Sequence, residues 1–242
     1  MRHDLDRSFG HLIRTGQSVN ELRVQSGPFE GMVYPAAVAS GSAFTPKILG
    51  TYEAELHDVV RQIIDYQPSV VLDIGCAEGY YAVGFATRLK NAKVIAFDIN
   101  QNCQTLCGEM AKVNSVNQQI EIKGLCSKED LEPLIGEKSV VISDCEGFEL
   151  ELFDRKTISK LRTTSFLIET HDFRRPFISK ELSERFAETH RVTRVYSLSD
   201  FCRPQFFSSE LTNHLDLASQ VAWMAEDRPS PMVWLWCQPK KR

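Results

Sequence analysis

The chain is short of most features that would assign it to a specialised class. Its seven cysteines include no C-x-x-C pair, which argues against a disulfide frame or a zinc ribbon and for reduced thiols in a cytoplasmic setting. No apolar run is long enough to span a bilayer. Met1 to Gly10 alternates charged and polar residues with no apolar centre, unlike a secretory leader. Positive charge is not in excess: the net charge is −4, so no global basic field recruits nucleic acid, and neither nucleic acid nor membrane is expected as a partner. There is no internal repeat, no low-complexity tract and no G-x-G-x-x-G run, the signature of a dinucleotide site. What remains is ordinary globular composition over 242 residues, 43% hydrophobic and 25% charged, enough for one α/β domain with an ample core.

The stretch that organises the chain is Val70-Val71-Leu72-Asp73-Ile74-Gly75-Cys76-Ala77-Glu78-Gly79-Tyr80-Tyr81. A β-branched apolar run of the buried-strand kind ends at Asp73, two glycines follow, and a helical pattern begins. Strand, glycine turn and helix build the nucleotide site at the carboxyl edge of an open α/β sheet. Gly75 permits a sharp turn and close approach of a ligand, and Gly79 opens a helix whose free N–H groups face that ligand. Glu78 stands where a pyrophosphate would be repelled and a cationic ligand accepted. The D-I-G-C-A-E-G pattern resembles the first motif of class I S-adenosylmethionine (SAM) methyltransferases, whose cofactor carries a sulfonium, an amino acid tail and a ribose. Strand–turn–helix packing without a ligand is the plain alternative.

The acidic partner expected downstream is present. Asp98 ends the next strand pattern, about twenty residues past the glycine turn, where a carboxylate holds both ribose hydroxyls; a helix cap is its structural alternative. Ile99 after it, and Leu125 with Cys126 at the end of the third strand pattern, would flank the two faces of an adenine. Thr51-Tyr52-Glu53 opens the helix before the first strand: either Thr51 caps it with Glu53 on its dipole, or Glu53 meets the amino acid end of SAM.

Strands are expected at about 69–74, 93–98, 120–122, 139–143, 165–169, 192–198 and 232–236. Helices are expected from Tyr52, over 80–89, 102–114 and 149–161, near Ser127, and over 179–189. The alternation predicts a doubly wound, mostly parallel seven-stranded sheet, Rossmann-like, with an antiparallel closing strand. Residues 1–50 read as an N-terminal arm and lid-like segment: a mobile arm or short helix over 1–26 with Leu12 and Ile13, then turn chemistry at Gly27-Pro28 and a loop over 35–46. Residues 51–242 read as the SAM-dependent domain, with an irregular insertion at 199–231 shaping the acceptor site and Lys240-Lys241-Arg242 a basic tail.

Two further clusters fall at strand ends of one carboxyl edge: Asp144-Cys145-Glu146-Gly147-Phe148-Glu149 and Glu169-Thr170-His171-Asp172. They suit general base catalysis, with Asp144 or His171 taking a proton from an acceptor hydroxyl. They equally suit a divalent ion such as Mg²⁺ held by Asp144, Glu169 and His171, or a set of caps and solvated charges. Arg174 and Arg175 read as an anion clamp or a solvated loop, and Phe201, Phe206, Phe207 and Trp223 as an acceptor wall or core.

The order G-P-F-E-G-M, L-G-T-Y-E, V-L-D-I-G-C-A-E-G-Y-Y, I-A-F-D, D-C-E-G-F-E and I-E-T-H-D, between about Gly27 and Leu198, resembles the FkbM-like branch of class I methyltransferases. The resemblance implies SAM-dependent methylation (EC 2.1.1.-), usually on a hydroxyl of a sugar, glycan or natural-product small molecule. It places SAM on Asp73, Gly75, Cys76, Ala77, Glu78, Gly79, Tyr80 and Asp98, with Asp144 beside the methyl group. It maps the D-x-E-G-x-E signature onto Asp144, Glu146 and Glu149, with Cys145 where an aliphatic residue is usual. The alternatives are a methyltransferase acting on RNA or a protein side chain, a non-catalytic SAM-binding module, and a nicotinamide-dependent oxidoreductase.

Overall fold

A computed structural model describes residues 22–135, 137–209, 211–229 and 231–240. The arm with Leu12 and Ile13, and Lys241 and Arg242 of the basic tail, lie outside the described residues.

Seven strands form one sheet. They are β3 (Val70–Ile74), β4 (Lys93–Phe97), β5 (Ile120–Lys123), β6 (Ser139–Ser143), β7 (Ser165–Thr170), β8 (His190–Tyr196) and β9 (Val233–Pro239). Their spatial order is β5-β4-β3-β6-β7-β9-β8. The first five pair in parallel, and β9 enters antiparallel between β7 and β8. This is the methyltransferase-like α/β fold, and the expected fold class holds. A two-stranded ribbon, β1 (Leu22–Arg23) with β2 (Val33–Tyr34), precedes it.

The strands are apolar on both faces because helices cover both. Along β9, Trp234 and Trp236 point into one core layer, and Leu235 and Cys237 into the other. β7 alternates likewise, with Leu167 in the first layer and Phe166 and Ile168 in the second. The first layer also takes Val24, Phe29, Met32 and Tyr34, so residues 22–34 are not a free arm. Phe29 supplies the reason: its ring is 1% exposed and packs edge-on against Tyr80, Tyr81 and Phe85 of the first sheet helix.

Several expected elements move. The single helix over 149–161 is two, Glu149–Leu152 and Arg155–Lys160. Asp154 breaks it by capping the second piece, accepting from Thr157 N–H at 2.7 Å. The helix expected from Tyr52 begins as a 3₁₀ turn (Ala54–Leu56) and becomes α only at His57. Thr51 caps nothing: its buried hydroxyl has no hydrogen-bond partner. The 35–46 loop ends early, at a helix over Phe44–Leu49. Near Ser127 there is a 3₁₀ helix, Glu129–Leu134, with Asp130 accepting from Ser127 N–H at 2.8 Å and Oγ–H at 2.7 Å. Within 199–231 a helix forms over Leu217–Met224, capped by Asp216.

Candidate functional site

The carboxyl ends of β3, β4, β6 and β7 open into one cleft of about 630 Å³, within the ~300–1,000 Å³ usual for ligand sites. Most of the expected site residues line it: Glu53, Asp73, Gly75, Cys76, Ala77, Tyr80, Asp98, Ile99, Leu125, Cys126, Asp144, Glu169 and His171.

The floor is the turn after β3. Gly75 has φ 84°, and a Cβ there would sit 1.8 Å from the carbonyl oxygen of Asp144, so only glycine lets β3 and β6 close together at this level. The N–H groups of Gly75 and Cys76 both donate to the Phe97 carbonyl, at 2.8 and 2.9 Å. Asp98 is then locked by two backbone donors: its Oδ2 accepts from Ala77 N–H at 2.9 Å and its Oδ1 from Asn100 N–H at 2.8 Å. Each oxygen keeps a free lone-pair direction. Ile99 and Leu125 line the same cleft at 80% and 67% exposure. Large apolar side chains so exposed in a concave site are suited to the two faces of a flat ring. Asp73 lies deeper, and burial pushes its carboxyl up to about 7, against the pull of the Ala82 N–H.

Two members of the glycine motif face elsewhere. Glu78 does not line the cleft. It is 2% exposed and ion-paired with Lys47, itself 2% exposed, and it accepts from Ser40 N–H at 3.0 Å. Its charge therefore ties the 35–49 segment to the sheet instead of waiting for a cationic ligand. Gly79 (φ 99°) also turns away, since a Cβ there would meet Cys107 Sγ at 2.9 Å; its role is helix packing. The segment that Glu78 anchors brings Ser40, Gly41 and Ser42 to the cleft wall.

At the other end, His171 (2% exposed) is surrounded by carboxylates. Its Nδ1 lies 2.6 Å from Glu149 Oε1, and its Nε2 lies 3.3 Å from Asp144 Oδ1, 3.6 Å from Glu146 Oε2 and 3.7 Å from Glu169 Oε2. Burial opposes protonation of the imidazole, but Asp144 and Glu149 outweigh it and hold it up at about 10. In this state His171 is a donor, so the expectation that it is the general base gives way to the carboxylates. Asp144 is pushed up by burial and more strongly pulled down by His171, ending below its ordinary range. Glu169 goes the other way: burial and the Asp144 charge raise it well above the usual range, against Arg228.

Arg228 was not legible as a site residue. It comes from the irregular 199–231 stretch and reaches three carboxylates: Glu53 at 2.6 Å, Glu226 at 2.7 Å, and Glu169. Glu53 also takes the Tyr81 hydroxyl, so it is not on the dipole of the following helix. Arg203, fully buried, holds Glu226 at 2.6 Å and the Thr51 carbonyl at 3.0 Å. The only sequence signal was Glu226-Asp227-Arg228, a charged triplet set before Pro229 in an otherwise uninformative stretch.

The remaining candidates lie outside the cleft lining. Arg174 pairs with Glu146 at 2.5 Å and Arg175 with Glu151 at 3.6 Å, both more than half exposed; the solvated-loop reading fits them. Phe201 and Phe206 are 79% and 65% exposed, neither core nor cleft wall. The aromatic lining beside the His171 cluster comes from Phe148 and Phe173, and Tyr52, Tyr80, Tyr81 and Phe97 line the rest of the cleft. All seven cysteines are unpaired. Among the described residues no helix is long and apolar enough to cross a membrane.

No family model matches the chain, and no curated protein matches it. Solved structures do. A putative O-methyltransferase from Klebsiella pneumoniae is 14% identical, with 97% of this chain and 89% of that one aligned at a TM-score of 0.50. An O-methyltransferase from Bacillus cereus in complex with SAH is 11% identical over 74% of this chain and 78% of that one, at a TM-score of 0.50. Cofactor-bound Rv0187 from MTB is 11% identical over the same shares, at 0.51. At such identities the likeness is one of fold, and it agrees with the strand order: the chain has the seven-stranded architecture of the methyltransferase-like α/β proteins.

Proposed function

We propose that this protein is a SAM-dependent methyltransferase of the FkbM-like kind, acting on a hydroxyl oxygen of a small-molecule, sugar or glycan acceptor. The observation that carries the reading is Asp98. A carboxylate clamped by two backbone N–H groups, in a cleft also lined by the exposed apolar side chains of Ile99 and Leu125, fits an adenosine. Two of the similar structures, a putative O-methyltransferase and an O-methyltransferase in complex with SAH, support the same cofactor.

Reaction follows from position. The acceptor oxygen attacks the methyl carbon in line with the departing sulfur; the C–O bond forms, the C–S bond breaks, and its electron pair returns to sulfur as SAH. The hydroxyl proton goes to the rim carboxylates. Glu169, raised by burial and by Asp144, is better matched as a base than a fully acidic carboxylate. Alignment is the larger catalytic effect. Residues 51–242 carry this chemistry, and the 199–231 segment bounds the acceptor side through Arg228 and Glu226. The −4 charge weighs against RNA as acceptor, and the seven free thiols suit a reducing compartment.

Calorimetry with SAM and with NAD tests the cofactor. SAM binds and NAD does not; Asp98→Ala loses two charge-assisted hydrogen bonds of ~1.5–3 kcal/mol each, a loss of at least ~100-fold. Asp144→Ala keeps SAM affinity within a few-fold but stops label transfer from radiolabelled SAM to a fractionated extract. Wild-type protein that fails to bind SAM would overturn the proposal; binding without transfer to any fraction would favour a non-catalytic SAM module.

A further inference from the structure

The structure assigns a divalent transition-metal site, of the Mn²⁺ type, to Asp144, Glu169 and His171, with Glu149 as the residue that positions the imidazole. The cation would stand at the acceptor end of the cleft, so its use in acidifying an acceptor hydroxyl rests on the methyl-transfer reading; the binding itself does not.

Three observations lead there. One ligand atom from each of the three residues lies within 4.8 Å of the others, so rotamer shifts of about half an ångström would bring them within the ~4.4 Å that atoms sharing a metal at ~2.0–2.2 Å span at most. The groups facing this point converge on it from three sides. His171, 2% exposed, spends Nδ1 on Glu149 at 2.6 Å and turns Nε2 toward Asp144 Oδ1 at 3.3 Å and Glu169 Oε2 at 3.7 Å, both long contacts. Asp144 Oδ1 is buried and has no hydrogen-bond partner. Finally, positive charge is short. Four carboxylates stand within 3.7 Å of one imidazole, and the guanidinium groups reaching them are Arg174 on Glu146 and Arg228 on Glu169, the second shared with Glu53 and Glu226.

Glu149 completes the arrangement. It is fully buried at the start of the 149–152 helix, and its Oε1 accepts from Gly147 N–H at 3.1 Å while facing His171 Nδ1 at 2.6 Å. A carboxylate on one imidazole nitrogen holds the proton there, the usual outer arrangement of metal-bound histidine, so a cation that takes Nε2 displaces only the proton that nitrogen carries without it. The donor set selects the ion. Mg²⁺ prefers an all-oxygen octahedron and keeps its waters, whereas one imidazole with two carboxylates suits Mn²⁺ and its first-row neighbours. That choice refines the Mg²⁺ expected from the same three residues.

The test is Mn²⁺ binding to the full chain in the absence of SAM, read by the loss of the free-ion paramagnetic resonance signal. Calorimetry with SAM on every variant reports folding and, separately, the cofactor reading. Wild-type protein is expected to bind one Mn²⁺ that a 100-fold excess of Mg²⁺ does not displace. His171→Ala and Asp144→Asn lose it while binding SAM as before, and Glu149→Gln weakens it about 10–100-fold. No saturable Mn²⁺ binding by wild type, unchanged binding by His171→Ala, or ready displacement by Mg²⁺ would each overturn the assignment. Mn²⁺ binding without SAM binding would instead sink the cofactor reading and leave the metal site standing.

Discussion

Replacing Arg228 with methionine keeps the aliphatic stem and deletes one charge from the centre of the cleft wall. In the native protein its guanidinium reaches Glu53, Glu226 and Glu169, whose side chains are 5% exposed or less. After the substitution Glu226 still has Arg203, but Glu53 and Glu169 lose the cation that offsets their burial. Removing one partner of a buried ion pair costs ~3–5 kcal/mol, because the charge left behind stays desolvated. The cost must depend on pH. Burial already raises the Glu53 and Glu169 carboxyls, and Arg228 acts to lower both. Without it they rise further. A carboxyl raised in the folded state contributes stability below its unfolded value and loses it as pH climbs through the folded value. The deficit of Arg228→Met should therefore approach ~3–5 kcal/mol near pH 8 and shrink to ~1–2 kcal/mol near pH 5, where the freed carboxyls take up protons and only hydrogen bonds are lost. Urea unfolding followed by tryptophan fluorescence at both pH values measures it, and adding Glu53→Gln should recover part of the loss at the higher pH. A deficit equal at the two pH values, or larger at the lower one, refutes the reasoning.

Other consequences are open to measurement. Asp73, 3% exposed and raised to about 7 by burial, contributes up to ~4 kcal/mol that is full below about pH 4 and disappears as pH rises through 7; Asp73→Asn should gain stability relative to wild type across that window, and parallel stability curves would contradict it. Gly84 sits mid-helix, where alanine would ordinarily gain ~1 kcal/mol. A Cβ there meets the buried Phe29 ring at 2.6–2.8 Å, so Gly84→Ala should instead lose ~1–3 kcal/mol by overpacking, and a stabilised variant would show that Phe29 yields. Lys47→Met removes the partner of Glu78, both 2% exposed. It should destabilise by ~3–5 kcal/mol in denaturant melts, and a neutral effect would mean that the Ser40 N–H and the Tyr34 hydroxyl, which donate to Glu78 at 3.0 and 3.3 Å, suffice to hold it.

Local pattern was enough for the frame of this protein. The apolar runs at about 69–74, 139–143 and 165–169 read as strands covered on both faces, and their alternation with helical spacing determined a parallel sheet with its ligand edge at Asp73, Asp98, Asp144 and Glu169. Gly75 was legible too, because a strand turning into a helix needs a residue without a side chain at that point. What the sequence could not show was where side chains at the ends of those elements spend their charge. Glu78 reads as a ligand group beside the turn, yet Lys47, thirty-one positions earlier, takes it. Glu149 reads as the last acid of the D-x-E-G-x-E signature with no partner in view, yet it meets His171 at the end of another strand. Arg228 has no periodic pattern around it at all, and only the return of the chain through β9 carries it between Glu53 and Glu169. Strand and helix arise from the spacing of near neighbours, which is written along the chain. The partner of a buried charge is whichever group the packed sheet brings within about 3 Å, and that is decided only when distant segments meet.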